Sequence, residues 1–201
     1  MYTPSENRLG IQPIAVANTP LTVAAGFQAP QIGQSPFFGK QHPLGTIIRA
    51  YDPVYGEGEF IYLQMASTQV VGSIVTWSGY GTVSGDPASF NESQYQAALV
   101  ANTANLDQPV AFAMSAFPSG SPATAFGWFQ ISGNAVAATN GTLAGAGAVY
   151  ISTTAGQITS AQANGKQILN AQALVANGGG GTTGNQTVVA IDRPFMQGQT
   201  V

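Results

Sequence analysis

The sequence predicts an all-β fold, mainly an antiparallel β-barrel or sandwich, with an extended proline-rich arm at the N-terminus. The first observation is that short runs rich in Val, Ile, Phe and Tyr recur after Gly45, nearly all bounded by turn residues. The second is that six of the twelve prolines fall before residue 44. We therefore divide the chain into an arm, residues 1–43, and a β-rich core domain, residues 44–201.

The arm is predicted to be extended because its prolines leave no room for a helix of more than about two or three turns. A disordered tail is the alternative, but such a tail would carry more charge and fewer Ile, Val and Phe residues. Short apolar runs in the arm suit extended segments laid on a partner. The predicted partner-binding side chains are Ile14, Val16, Leu21, Val23, Phe27, Phe37 and Phe38.

Strands are predicted in the core wherever an apolar, β-branched or aromatic run lies between turn residues. The runs, in chain order, are GTIIRAYD, EFIYLQMAS, VVGSIVTWS, PVAFAMSAF, AFGWFQISG, NAVAAT, GAVYIST, KQILNAQALVA and QTVVAIDRPF. Asn-Gly dipeptides at Asn140-Gly141, Asn164-Gly165 and Asn177-Gly178 suit type I′ hairpin turns, in which both central residues have positive φ. The glycine-rich run from Gly178 is predicted to be a flexible loop.

The run AFGWFQISG places aromatic residues on both faces of one strand, because side chains alternate along a strand. Phe126 and Trp128 share one face and Phe129 lies on the other, which predicts burial on both sides. The residues around 90–104 fit either a short helix capped by Asn91 or a strand followed by a loop. For residues 158–177 the surrounding β pattern favours two strands over a helix, since Gly165 would interrupt the helix.

Charge is scarce, and this scarcity limits the possible partners. Only 6% of residues are charged and the net charge is −3, so little repulsion opposes self-association. The five Lys and Arg residues are scattered along the chain, which argues against a nucleic-acid partner. The N-terminus lacks the apolar segment of a signal peptide, and no run is long enough for a membrane-spanning helix. With no cysteine, synthesis in the cytosol is expected.

The candidates for chemistry are few. His42 is the only histidine, and without a G-x-S-x-G elbow we interpret it as an exposed or hydrogen-bonded loop residue. Glu57 and Glu59 would point to one face of a strand, with Asp52 one turn before them, as in a glycosidase or calcium site. Neighbouring positions in a glycine-rich turn suit a solvated hairpin tip or an intersubunit partner for Arg49 or Arg193 better. No catalytic residue, metal or cofactor is predicted.

Several stretches resemble capsid decoration or related minor head proteins of tailed bacteriophages. They are LGTIIRAYDPVYGEGEFIYLQMAS at 44–67, PVAFAMSAF and AFGWFQISGNAVA within 109–137, AVYISTTAGQITSA, and the ending VVAIDRPFMQGQ. The resemblance implies a β-barrel or sandwich that assembles as a homo-oligomer, with a trimer favoured, on the outside of a capsid. It also implies binding to the major capsid protein, localisation in the virion and synthesis in the host cytoplasm.

We therefore expect a non-enzymatic virion structural protein that stabilises a phage capsid by bridging coat subunits. The alternative is a fibre, tail or head-fibre adhesin that binds host surface glycan, in which Trp77, Tyr80 and Trp128 stack on sugars. A third hypothesis, a capsule depolymerase, would rest on the carboxylates of Glu57 and Glu59.

Overall fold

The computed structural model describes residues 3–4, 42–65, 68–77, 95–116 and 125–198. Within these ranges the chain forms β-strands and no α-helix, which confirms the predicted all-β class. Most of the predicted arm, including all seven apolar side chains proposed to bind a partner, lies outside the described residues. The strands are β1 (Thr3–Pro4), β2 (Ile47–Asp52), β3 (Gly56–Met65), β4 (Ile74–Trp77), β5 (Gln96–Leu99), β6 (Val110–Ala113), β7 (Ala125–Ala138), β8 (Gly147–Ile151), β9 (Ile158–Thr159), β10 (Gln167–Ala173) and β11 (Gln186–Met196).

Every predicted run contains a strand, and two of the runs are one strand. AFGWFQISG and NAVAAT join in β7, which continues through Gly133 at a φ of 96°. The segment left open between helix and strand contains β5 and then a loop in its described part. The two strands favoured for residues 158–177 are β9 and β10.

The strands close into two rings that share β7. In the first ring β3, β5, β4, β6 and β7 pair in that order, and β7 then pairs with β3. The second ring runs through β7, β11, β10, β8 and β9. It closes where Thr139, directly after β7, forms a bridge with Ile158 of β9. The pairing of β3 with β5 and the bridge from Thr139 to Ile158 are parallel, whereas the other strand pairs named here are antiparallel.

Gly133 is the point at which β7 passes from one ring to the other. Up to Ser132 β7 pairs with β3, and from Ser132 onward it pairs with β11. A Cβ on Gly133 would overlap the carbonyl oxygen of Glu57, so the crossing requires glycine for space as well as for its positive φ. The buried Gln130 side chain donates from Nε2 to the carbonyls of Ser132 (3.0 Å) and Asn134 (3.1 Å), one on each side of the crossing.

Three apolar clusters form the core of the described part of the chain, and β7 contributes to all of them. Inside the first ring, Leu63, Val75 and Phe129 belong to one cluster. The outer face of β3 and β7 packs with β2 to bury Phe60, Tyr62 and Trp128 completely. The third cluster lies in the second ring and includes the outward face of β4 and β6. Both faces of the AFGWFQISG strand are therefore buried, as its aromatic pattern predicts.

The Asn-Gly turns differ from the prediction of type I′ geometry. Gly165 and Gly178 have φ values of 72° and 75°, but neither preceding asparagine is among the described residues with positive φ. In each turn the residue after glycine donates to the residue before asparagine, Lys166 to Ala163 and Gly179 to Ala176. Positive φ at the second central position alone defines a type II turn. At Asn140-Gly141, likewise, only the glycine has positive φ (79°).

Candidate functional site

An ionic cluster around Glu59 is the main concentration of charge in the described chain. Arg49 lies directly across from Glu59 in the β2–β3 pair and donates to Oε1 at 3.0 Å. Arg193 reaches the same carboxylate from β11 and donates to Oε2 at 3.0 Å. Glu59 is only 16% exposed, whereas both arginine side chains are 65% exposed. Both carboxylate oxygens therefore accept from guanidinium groups whose outer parts face solvent.

Arg193 reaches this cluster through an irregularity in β11. Its φ is 46°, a left-handed conformation that is uncommon for a bulky residue. The register of the β10–β11 pair shifts at the same place, between Leu169 and Ala171 on the facing strand. Such bulges change the direction of a side chain. The sequence predicts an intersubunit partner for Arg49 or Arg193 as one interpretation of the acidic pair. In the structure both arginines pair with Glu59 of the same chain.

The charge of Glu59 is stabilised by its neighbours. Burial by itself would raise the pKa of Glu59, but the hydrogen bonds from Arg193 and Arg49 and the attraction of their charges outweigh burial and hold the pKa below its ordinary value. Glu59 is therefore a carboxylate at neutral pH with both oxygens occupied. A general acid in glycoside hydrolysis needs a raised pKa, so this arrangement does not favour the depolymerase hypothesis.

A shallow depression of about 230 Å³ lies beside the cluster and is lined by Arg49, Glu57, Gly58, Glu59 and Ser132. Glu57 is exposed and shares the face of Glu59, as the alternation of β3 predicts. Gly58 points to the other face, where a Cβ would lie 2.9 Å from Gln130 Nε2. Asp52 instead organises the β2–β3 turn, because its Oδ1 accepts from the backbone N–H groups of Val54 (2.8 Å) and Tyr55 (3.0 Å).

Apolar side chains extend this ionic cluster along β2. Ile47 and Tyr51 are 45% and 54% exposed, lie on either side of Arg49 on the exposed face of the strand, and are followed by Val54 in the turn at 70% exposed. We call Ile47, Arg49, Tyr51, Glu57 and Glu59 together the β2 face. The sequence does not predict the apolar part of this face, because IIRAYD places apolar and charged residues on both faces of the strand and so does not indicate which face is buried.

His42 lies in a different environment from the one predicted. Its ring packs edge-on against Tyr62 at 5.2 Å between centroids and lies 5.3 Å from Trp128. His42 lies in a loop, as predicted, but it is half-buried, and its buried Nε2 has no hydrogen-bond partner in the described part of the chain. Burial lowers the pKa of His42, so the neutral ring is favoured.

The aromatic residues suggested for sugar stacking do not form one surface. Trp128 is completely buried and is therefore unavailable to a glycan, whereas Trp77 is half-buried against the core of the first ring. Tyr80 lies outside the described residues. Among residues 3–4, 42–65, 68–77, 95–116 and 125–198, no group of His, Cys, Asp or Glu could hold a metal ion. No helix in these ranges is long and apolar enough to cross a membrane.

No protein-family model matches the chain, and comparisons with curated proteins and with solved structures found no match.

Proposed function

We propose that this chain is a non-enzymatic structural protein of a tailed-phage virion, bound to the outside of the capsid, where it bridges subunits of the major capsid protein. In this proposal the chain is made in the host cytoplasm and acts as a homo-oligomer, with a trimer favoured. The resemblance described above suggests this role. The physical support is the β2 face, which presents exposed apolar side chains beside a neutralised ionic cluster.

The β2 face suits protein docking because Glu59, the least exposed of its charged side chains, is already paired. Burying an unpaired charge at an interface is costly, but Glu59 brings two arginine partners with it. Ile47 and Tyr51 supply apolar area on the same face, and an exposed tyrosine is typical of interface hot spots. Because only 6% of the residues of this chain are charged, the ionic cluster of the β2 face would fix how the chain is oriented on the capsid protein in a contact that is otherwise neutral.

The closed rings suit the mechanical part of this role. In each ring the series of paired strands starts at β7 and returns to it, in the second ring through Thr139 directly after β7. Most backbone groups of the core are therefore hydrogen-bonded to neighbouring strands. A cement protein acts through many weak contacts that repeat over a symmetric lattice, so a rigid scaffold avoids the entropy cost of ordering at each contact.

Cosedimentation with capsids of the encoding phage, prepared without this chain, tests the proposal. We expect saturable binding with a fixed number of copies for each coat subunit. Failure to cosediment, together with binding to host polysaccharide on a glycan array, would overturn the proposal in favour of the adhesin alternative.

Variants locate the contact. Ile47→Glu combined with Tyr51→Ser should weaken capsid binding at least about tenfold, because charge at an apolar hot spot is poorly tolerated. Val70→Glu is the matched control, since Val70 is equally exposed at 55% but lies outside the β2 face.

Deletion of residues 1–43 should abolish binding while the core stays folded, as judged by circular dichroism. If the deletion variant binds as well as the natural chain, the arm is not part of the contact, and the proposal for the β2 face still stands.

A further inference from the structure

The three Asn-Gly dipeptides have the same local sequence but different surroundings. In an Asn-Gly pair the backbone nitrogen of glycine is close to the asparagine side chain and is not shielded by a Cβ. The reaction available there is ring closure: the glycine nitrogen attacks asparagine Cγ, an N–Cγ bond forms, the Cγ–Nδ2 bond breaks, and ammonia leaves with the amide proton. Water then opens the succinimide to aspartate or isoaspartate.

Asn177 is protected on both reacting groups. Its Oδ1 accepts from Leu143 N at 3.1 Å, and its Nδ2 donates to Thr139 Oγ1 (2.9 Å) and to the Gly141 carbonyl (2.7 Å). The attacking nitrogen, that of Gly178, donates to the Gln186 carbonyl at 2.9 Å. Ring closure here requires these hydrogen bonds to break first.

Asn140 is protected through its side chain. Its Nδ2 lies 3.0–3.2 Å from the hydroxyl oxygens of Ser152, Thr153 and Thr154, which fix the amide against the loop after β8. The amide must leave these hydroxyl groups before Cγ can turn toward Gly141 N.

Asn164 has neither protection. It is exposed, its side chain makes no hydrogen bond in the described part of the chain, and the Gly165 N–H likewise donates to no group there. The turn itself does not explain the difference, because Asn164 and Asn177 occupy the same position of type II turns. The difference between these two sites therefore lies in their hydrogen bonds.

We propose that Asn164 is a chemical modification site, at which the folded protein deamidates through a succinimide while Asn140 and Asn177 remain intact. This inference is independent of the proposed function. It has a defined structural consequence, because the Gly165 carbonyl accepts from Asn105 N at 2.7 Å and Gly165 packs tightly against Asn105. The extra backbone methylene of isoaspartate at position 164 displaces that carbonyl, so the loop between β5 and β6 loses an anchor.

Incubation of the folded full-length chain at neutral pH in ¹⁸O-labelled water, followed by peptide mapping with mass spectrometry, tests the proposal. Labelled aspartate and isoaspartate should accumulate at position 164 at least about tenfold faster than at 140 or 177, because each hydrogen bond that must open slows ring closure severalfold. In denaturant the three rates should converge, since the dipeptides are identical. Equal rates in the folded chain, or a faster reaction at Asn140 or Asn177, would overturn it.

Two further measurements separate the modification from other damage. Asn164→Gln should give no labelled product at this position under the same conditions, because glutamine would have to close a larger ring. In the isoaspartate form of the natural chain, the amide of Asn105 should lose protection in hydrogen exchange, while the Gly178 amide keeps its own. Unchanged protection of Asn105 would contradict the predicted consequence for the β5–β6 loop.

Discussion

Single residues of this protein combine a modest structural role with a defined response to pH, and Glu59 is the clearest case. Its two arginine partners keep it ionised, so part of the folding free energy depends on that charge. The pKa of Glu59 is lower in the folded chain than in the unfolded chain. Its contribution to stability is therefore complete above the unfolded pKa of about 4.3 and is lost as the pH falls through the folded pKa.

Glu59→Gln should reduce the free energy of unfolding at pH 7 by roughly 1 kcal/mol, a modest value because both arginines are largely solvent-exposed. The difference between variant and natural chain should shrink as the pH falls below about 4, where Glu59 becomes protonated. Urea unfolding at pH 7 and at pH 3 measures both values. Glu57→Gln is the control, since Glu57 is exposed and has no ion pair in the described chain, and it should change little at either pH. A constant deficit for Glu59→Gln at both pH values would contradict the charge argument.

At the level of elements, β7 determines the architecture because it pairs with both β3 and β6 around Gln130 and with β11 from Ser132 onward. The alternation of aromatic residues in AFGWFQISG predicts that both of its faces are buried, since this signal is local. Gly133 lies between the runs AFGWFQISG and NAVAAT, and a glycine at such a position predicts the end of one strand and the start of another. Its role as a crossing within one strand depends on Glu57 and Ile191, contacts that only the folded chain brings together.

Gly133→Ala should reduce stability by about 3 kcal/mol, because a Cβ there combines an unfavourable φ with overlap against a backbone carbonyl. Thermal and urea unfolding give the value. Gly184→Ala is the matched control: it has no neighbour within reach of a Cβ, and its φ is not positive, so it should be neutral or slightly stabilising. Equal effects of the two substitutions would mean that the crossing tolerates a side chain.

At the scale of the whole molecule, the sequence predicts strands well and pairings poorly. Alternation and turn residues locate the strands, but the parallel pairing of β3 with β5 and the bridge from Thr139 to Ile158 join segments distant in the chain. The same limit applies to the site. Charge alone identifies Arg49, Glu59 and Arg193 in the sequence. The left-handed conformation that directs Arg193 toward Glu59 has no local signal, because the proline that follows favours an extended residue.

Because the rings share β7, we expect them to unfold together. Ile158→Ala, at a completely buried position in the second ring, should cost about 2–4 kcal/mol. In a Trp77→Phe background, fluorescence reports on Trp128, which lies on the β3 side of β7. The unfolding midpoint measured by Trp128 fluorescence should shift with Ile158→Ala by the same amount as the unfolding midpoint measured by far-UV circular dichroism. Val70→Ala, at an exposed loop position, is the control. A fluorescence midpoint that stays constant while the circular dichroism splits into two transitions would show that the rings unfold separately.

The shared strand also limits how this fold can change by recombination. Two barrels joined by a linker can be exchanged between genes as separate modules, because a cut in the linker leaves each barrel whole. Here a breakpoint near Gly133 would leave each ring its own part of β7, but it would separate β4 and β6 from the apolar cluster that they share with the second ring. The smallest portion of this gene that can be inherited as a working fold is therefore the entire double ring.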